Sequence, residues 1–172
     1  MENEIILNMK TRRSIRKYKS EEVKKEIIDK IIEAGTYAPS GMNRQAALIV
    51  HVKSKEIREK LSKINANIMG TDIDPFYGAP HVLIVLADKR IPTYLYDGSL
   101  VMANLMLSAH SLGIGSCWIH RAKEEFETEE GIQILKELGL DENYEGIGHC
   151  ILGYQNEEPI EKAKKENYVY TI

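Results

Sequence analysis

The densest chemistry in the chain lies in seven residues near its start, Thr11-Arg12-Arg13-Ser14-Ile15-Arg16-Lys17, which carry four cations and two hydroxyls. Like charges this close repel one another, so the arrangement suits an anion held among guanidinium forks and a serine hydroxyl. A solvated basic turn is the plain alternative, because runs of charge usually are that. A second basic cluster, Lys162-Ala163-Lys164-Lys165, stands near the other end of the chain. Two clusters converging on one phosphate would make a composite site.

Other stretches carry weaker signals. Residues 38–45, Ala-Pro-Ser-Gly-Met-Asn-Arg-Gln, are rich in turn formers, amides and hydroxyls, groups able to read the hydrogen-bonding edge of a planar heterocycle or simply to cap a loop. Residues 65–80 break the apolar pattern for longer than a compact domain usually allows in an idle loop. Phe76 and Tyr77 in that stretch are candidates to touch a planar substrate, or else a plug that fastens the loop to the core. Asp72 and Asp74 lack further ligands and read as solvated loop charges rather than a metal site. The histidines are scattered singly, and Cys117 and Cys150 have no neighbouring cysteine, so they read as small core residues. Gly113-Ile114-Gly115 and Gly146-Ile147-Gly148 each begin a dinucleotide fingerprint, but Trp118 and Ile151 occupy the place of the third glycine.

These residues must be positioned by one domain spanning 1–172, since 172 residues with 43% hydrophobic content suffice for a substantial core. A net charge of -3, with cations gathered near the two ends, argues against a nucleic-acid surface. No apolar run is long enough for a membrane span and no signal peptide opens the chain, so a cytoplasmic protein without membrane contact is expected. A short helix over residues 4–10 leads into the arginine cluster. Ser20 reads as the cap of a helix striped by Val23, Ile27, Ile28, Ile31 and Ala34. Strands follow at 47–52 and 81–87, with a helix capped by Ser54 between them. Residues 92–111 form the longest helix, apolar over most of its circumference and therefore central or buried at a subunit interface, with Asn104 in need of a partner. A strand after Gly115, a helix capped by Thr128 and closed at Gly139, and a strand over 145–154 complete the pattern.

Taken in order, the pieces resemble the FMN-dependent nitroreductase family, as a short-form member, over nearly the whole chain. They are Arg-Arg-Ser-Ile-Arg at 12–16, the 38–45 segment, Gly-Ala-Pro at 78–80, the helix at 97–112 flowing into Gly-Ile-Gly-Ser-Cys-Trp-Ile, and Leu-Gly-Tyr at 152–154 before a basic tail. The resemblance implies an α+β sandwich: a central mixed, mostly antiparallel sheet flanked by helices, in an intertwined homodimer with FMN at the subunit interface. Arg12, Arg13, Ser14 and Arg16 match positions that hold the FMN phosphate, ribityl chain and pyrimidine edge, and Lys162 and Lys164 match tail cations that close on the phosphate. Pro39, Ser40, Gly41 and Asn43 match the loop lent by the second subunit. Ile119 and His120 fall where backbone groups approach flavin N5, so the His120 main chain is carried over and its imidazole is not.

The implied activity is reduction of nitroaromatics, quinones or related small acceptors by NADH or NADPH in a ping-pong scheme, with the flavin and no catalytic side chain performing the chemistry. A flavin-storing protein, reductive dehalogenation and flavin fragmentation are the alternatives. The chain departs from the family pattern at Ala46-Ala47, in having lysines where tail arginines are common, and in the brief link at 88–96, where larger members insert helices over the active site.

Overall fold

The computed structural model describes residues 3–161 and 163–172, so Lys162, expected at the phosphate, lies outside the described residues. Among the described residues the elements run α1 (Glu4–Thr11), α2 (Lys25–Thr36), β1 (Ala47–Val52), α3 (Lys55–Met69), β2 (His81–Asp88), α4 (Tyr94–Ser111), β3 (Gly115–Ile119), α5 (Ala122–Phe126), α6 (Glu129–Glu137) and β4 (Tyr144–Gly153). The strands pair antiparallel in the order β1-β2-β4-β3. The four-stranded sheet is thus antiparallel throughout rather than mixed, and an isolated parallel bridge from Ser14 to Ser116 sets the arginine segment beside β3.

Strand alternation divides the core in two. Leu83, Val85 and Ala87 of β2 face one side, against Ile28 and Ile31 of α2 and Met102 and Leu105 of α4. Val82, Ile84 and Leu86 face the other, against Leu61 of α3, Phe126 of α5 and Ile134 and Leu135 of α6. With helices on both faces, β2 can be apolar without interruption, which is how it reads in the sequence. At the β2–β4 pairing Val85 faces Gly148 and Leu86 faces Gly146, so Ile147 is the extra residue of a bulge. A Cβ on Gly146 would lie 2.3 Å from the Ala122 carbonyl oxygen, and one on Gly148 would lie 2.1 Å from Trp118 Nε1. These glycines permit close packing on β4, which accounts for the aborted fingerprint.

Two further expectations need correction, the Ser20 cap and the start of the irregular stretch at 65. Helix α2 starts at Lys25, because residues before it pair elsewhere: Lys19 N–H donates to the Tyr154 carbonyl at 2.9 Å, and Val23 N–H donates to His81 Nε2 at 3.2 Å. Ser20 is therefore not the cap. Helix α3 continues past Asn65 to Met69 and stops at Gly70, whose φ of 72° suits a left-handed cap. Helix α4 buries one face, Val101, Met102, Leu105 and Ala109, but leaves Leu95, Tyr96 and Leu100 exposed, so a single chain does not enclose it. Asn104 finds its partner in the Ala34 carbonyl at 3.1 Å. Helix α5 has no counterpart in the sequence reading, being too short to show a period. No helix among the described residues is long and apolar enough to cross a membrane.

Candidate functional site

The arginine cluster is held by both of its flanks. Asn3 caps α1 by accepting from Ile6 N–H, and α1 is fastened to the end of α4 by Asn8 Nδ2 donating to the Leu107 carbonyl at 3.0 Å and by Thr11 Oγ1 lying 2.9 Å from His110 Nε2. Burial, reinforced by the charges of Arg12 and Arg13, holds the His110 imidazole below its ordinary pKa, which favours the neutral ring in that contact. Beyond Arg12 the chain is extended, and Ile15 N–H donates to the Ser116 carbonyl at 2.9 Å. Ile15 enters the core against Gly115, where a Cβ would come within 3.1 Å of the isoleucine Cβ. Alternation then turns Ser14 and Arg16 to the opposite side.

On that side lies a cavity of about 540 Å³ whose wall includes Arg12, Arg13, Ser14, Arg16 and Lys164. The two ends of the chain meet there. Arg12 Nη1 is buried with no hydrogen-bond partner among the described residues, and the wall to which Arg12 belongs sets four cations against Glu157 and Glu158. Arg13 is committed elsewhere: its Nη1 donates to the Lys10 and Arg12 carbonyls at 2.6 and 2.9 Å, and its Nη2 pairs with Glu161 at 3.0 Å. Arg13 thus straps the segment to the tail. Glu157 Oε1 accepts from the main-chain N–H groups of Arg16 and, at 3.1 Å, of Lys17.

A second cavity, of about 200 Å³, opens at the far end of β3 and is lined by Arg16, Tyr77, Ile119, His120 and Arg121 among others. Arg16 belongs to both cavities and so joins the arginine-cluster end to this one. The turn after β3 is unusual in placing Arg121 at φ 74°, a left-handed conformation that a side chain disfavours. The His120 carbonyl accepts from Asn65 Nδ2 at 2.8 Å.

Phe76 and Tyr77 part company. Tyr77, at 41% exposure, borders the second cavity, but Phe76 has no exposed surface and packs 5.1 Å from the His149 ring with Arg58 above it. In this structure Phe76 is the plug, because its ring is wholly buried in the core cluster that includes Leu61, Val82 and Ile84. Phe76→Ala is expected to cost about 3–5 kcal/mol of stability, as a buried aromatic truncation does, and chemical denaturation measures it.

Asp74, expected to be solvated, staples this loop. Burial pushes its carboxyl up, but hydrogen bonds from Ser62 Oγ (2.6 Å), Arg58 Nη2 (2.7 Å), Gly78 N–H (2.8 Å) and Phe76 N–H (2.9 Å) outweigh that and hold it below the ordinary value. A carboxyl depressed on folding contributes stability that is fully present above its unfolded value of about 3.9 and is lost as pH falls through the folded value. Asp74→Asn should lower the melting temperature at neutral pH and flatten its fall on acidification, as calorimetry between about pH 2 and 6 would show.

Pro39 and Ser40 line a third cavity, of about 320 Å³, that does not include the arginine cluster. Gly41–Asn43 form a 3-10 turn in which Met42 and Asn43 take φ of 53° and 54°. The turn is tethered by buried Asp97, which accepts from Gly41 N–H at 3.0 Å and from Thr93 Oγ1 at 3.0 Å. A Cβ on Gly41 would lie 2.6 Å from Thr93 Oγ1, so this approach requires glycine. Sequence reasoning missed Asp97. Its signal was an acidic residue at the start of an otherwise apolar helix. Within one chain, then, the Arg12 and His120 cavities adjoin through Arg16, and the 39–43 loop stands apart.

The Nitroreductase family model matches residues 9–154. The chain belongs to the nitroreductase family. A relative in Methanothermobacter thermautotrophicus, provisionally named NADH dehydrogenase/NAD(P)H nitroreductase, is 34% identical over 161 residues, 91% of this chain and 80% of the relative. A crystal structure of an FMN-bound nitroreductase from Bacteroides fragilis is similar with a TM-score of 0.90 at 28% identity, covering 99% of this chain and all of the other. An FMN-bound nitroreductase from Desulfitobacterium hafniense gives 0.88 at 27% identity, with both chains wholly covered. In this nitroreductase-family chain the short connection between β2 and α4 is retained as a tight link, Ile91 N–H donating to the Asp88 carbonyl and Tyr94 N–H to the Ile91 carbonyl.

Proposed function

We propose that the protein is an NAD(P)H-dependent FMN oxidoreductase, a homodimer that reduces nitroaromatics, quinones or related acceptors by a ping-pong scheme. The observation that carries this is the orphaned Arg12 Nη1 in the wall of a cavity shared with Arg16 and Lys164, since a buried guanidinium donor calls for an anionic acceptor. The residues present fit a terminal phosphate. Arg12 and Lys164 would hold it, Ser14 would serve the ribityl chain, and Arg16, which lines both cavities, would serve the pyrimidine edge. Pro39, Ser40, Gly41 and Asn43 act in the partner's site, in keeping with their separation from Arg12 within one chain. When bound, FMN supplies two-electron transfer at N5 from NAD(P)H to the acceptor. Arg16 stabilises negative charge at the pyrimidine edge, and the main chain at Ile119 and His120 orients the reactive edge. Both substrates use the opening beside Tyr77 in turn. The buried, unpaired Cys117 and Cys150 suit a reducing, cytoplasmic setting.

Purified protein supplied with FMN should show a flavin spectrum that NADH or NADPH bleaches without oxygen and that a quinone restores. Initial rates with both substrates varied should give parallel double-reciprocal lines. A protein that stays colourless after FMN is added overturns the reading. Tyr77→Ala should change kcat/KM for nitroaromatic or quinone acceptors by about tenfold, the worth of one aromatic contact, while flavin content stays at the wild-type level. Unaltered acceptor kinetics would remove Tyr77 from the substrate site.

A further inference from the structure

We infer that His149, Glu125 and Asn65 form a buried positioning chain that sets the His120–Arg121 turn against the reactive end of the site. The inference deepens the proposed function and rests on it for the identity of what the turn faces. All three side chains are fully buried. Asn65 Nδ2 donates to Glu125 Oε1 and also to the His120 carbonyl at 2.8 Å, and Asn65 Oδ1 accepts from Arg121 Nε at 3.0 Å; His149 Nε2 lies 3.1 Å from Glu125 Oε2, a charge contact that is not aligned as a hydrogen bond. The Asn65 amide is therefore engaged through both its nitrogen and its oxygen, and two of its three hydrogen bonds lead to the His120–Arg121 turn.

The geometry has a directional consequence. In a trans peptide the carbonyl and the following N–H point opposite ways. Asn65 holds the His120 carbonyl on the protein side, so the Arg121 N–H is turned away from Asn65, and Arg121 lines the cavity shared with Arg16 and Tyr77. Arg121 sits at φ 74°, a conformation that persists only where surroundings enforce it. The enforcement comes from this chain on one side and from Glu125 N–H donating to the Arg121 carbonyl at 3.0 Å on the other.

A histidine–carboxylate pair is an expensive way to fill a core, because well-packed apolar residues of similar volume commonly stabilise as much or more. Its placement here backs the Asn65 acceptor with the sheet: His149 is on β4, paired with Ile84 of β2 and Ile119 of β3, and its ring packs beside Glu125. The central sheet thereby fixes a turn at its margin. His149, Glu125 and Asn65 are positioning residues, since none of them lines the cavity.

The test compares Asn65→Ala and Glu125→Gln with the wild type, first as apoproteins by amide hydrogen exchange and then as FMN-loaded enzymes. Asn65→Ala should speed exchange over residues 119–122 roughly tenfold, the loss of about one hydrogen bond, while β2 and β4 keep their protection. Loaded with FMN, it should hold one flavin per protomer but show a shifted flavin midpoint potential and a lower kcat with NAD(P)H at unchanged KM. Glu125→Gln keeps an acceptor for the Asn65 amide, so exchange at the turn should stay within about twofold of wild type. If Asn65→Ala does not fold, Asn65→Ser is read in its place against the same exchange criterion. Exchange at 119–122 and a flavin potential both equal to wild type in the Asn65 variant would overturn the positioning role, leaving plain core packing. A wild-type protein that takes up no FMN would refute the cofactor reading alone, because exchange in the apoprotein decides the positioning chain by itself.

Discussion

Alanine at both Arg12 and Lys164 should give a protein that purifies colourless and binds FMN about a hundredfold to ten-thousandfold more weakly than wild type. Each cation removed takes with it a charge-assisted hydrogen bond of about 1.5–3 kcal/mol, and each 1.4 kcal/mol is about a factor of ten in affinity. Arg12 carries the larger share, because its Nη1 is already desolvated and unpartnered and its location is set by the end of α1. Lys164 contributes as a point charge on a flexible stem. Flavin fluorescence quenching measures the affinity directly. The melting temperature without FMN should fall little, since neither side chain holds the core. A double variant that binds FMN as tightly as wild type would move the phosphate to another site. The neighbouring Arg13 makes a contrasting control: it pairs with Glu161 and with two carbonyls, so its loss should loosen the tail more than it weakens phosphate contact.

The second large effect concerns assembly. Dilute protein should scatter light at about twice the chain mass of 19.6 kDa, and Leu100→Asp should bring it to the monomer mass with loss of flavin. Helix α1 has no buried residue although it carries Ile5, Ile6, Leu7 and Met9, and α4 presents Leu95, Tyr96 and Leu100 on its uncovered face, Tyr96 at 70% exposure. Tyr168, Val169, Tyr170 and Ile172 of the tail are exposed as well. Apolar surface on this scale is what the proposed dimer would cover. A carboxylate buried unpaired in such an interface costs several kcal/mol, enough to dissociate a dimer at micromolar concentration. Flavin should leave with the dimer because the 39–43 loop of each chain stands apart from that chain's own Arg12 cavity. A stable yellow monomer would refute the shared site.

The helices and strands were legible wherever one period dominated. β2 announced itself as an unbroken apolar run, and α3 and α6 carried side-chain caps, Ser54 and Thr128, that the structure shows accepting from Ile57 and Gly131. The Schellman end at Gly139 was legible for the same local reason, its φ of 74° and the Leu140 N–H to Leu135 carbonyl bond being properties of a few adjacent residues. Misreadings came where a distant partner overruled a local preference. Ser20 looked like a cap, but the tail at Tyr154 claimed the backbone beside it. Asp74 looked solvated, but Ser62 and Arg58 on α3 reach it from outside the loop.

By itself the sequence determined the family, the two-faced character of the sheet and the identity of the basic clusters, because residue order and periodicity are local quantities that one chain displays in full. Tertiary structure alone decided that Arg12 keeps a buried donor with no partner among the described residues while Arg13 is spent on the tail, and that Phe76 is sealed in while Tyr77 borders the cavity. It alone joined Asn65, Glu125 and His149 into one chain behind His120. Neighbouring residues of like type received opposite roles in each case, because role depends on which solvent or partner each side chain meets. That is settled by the packing of elements far apart in sequence.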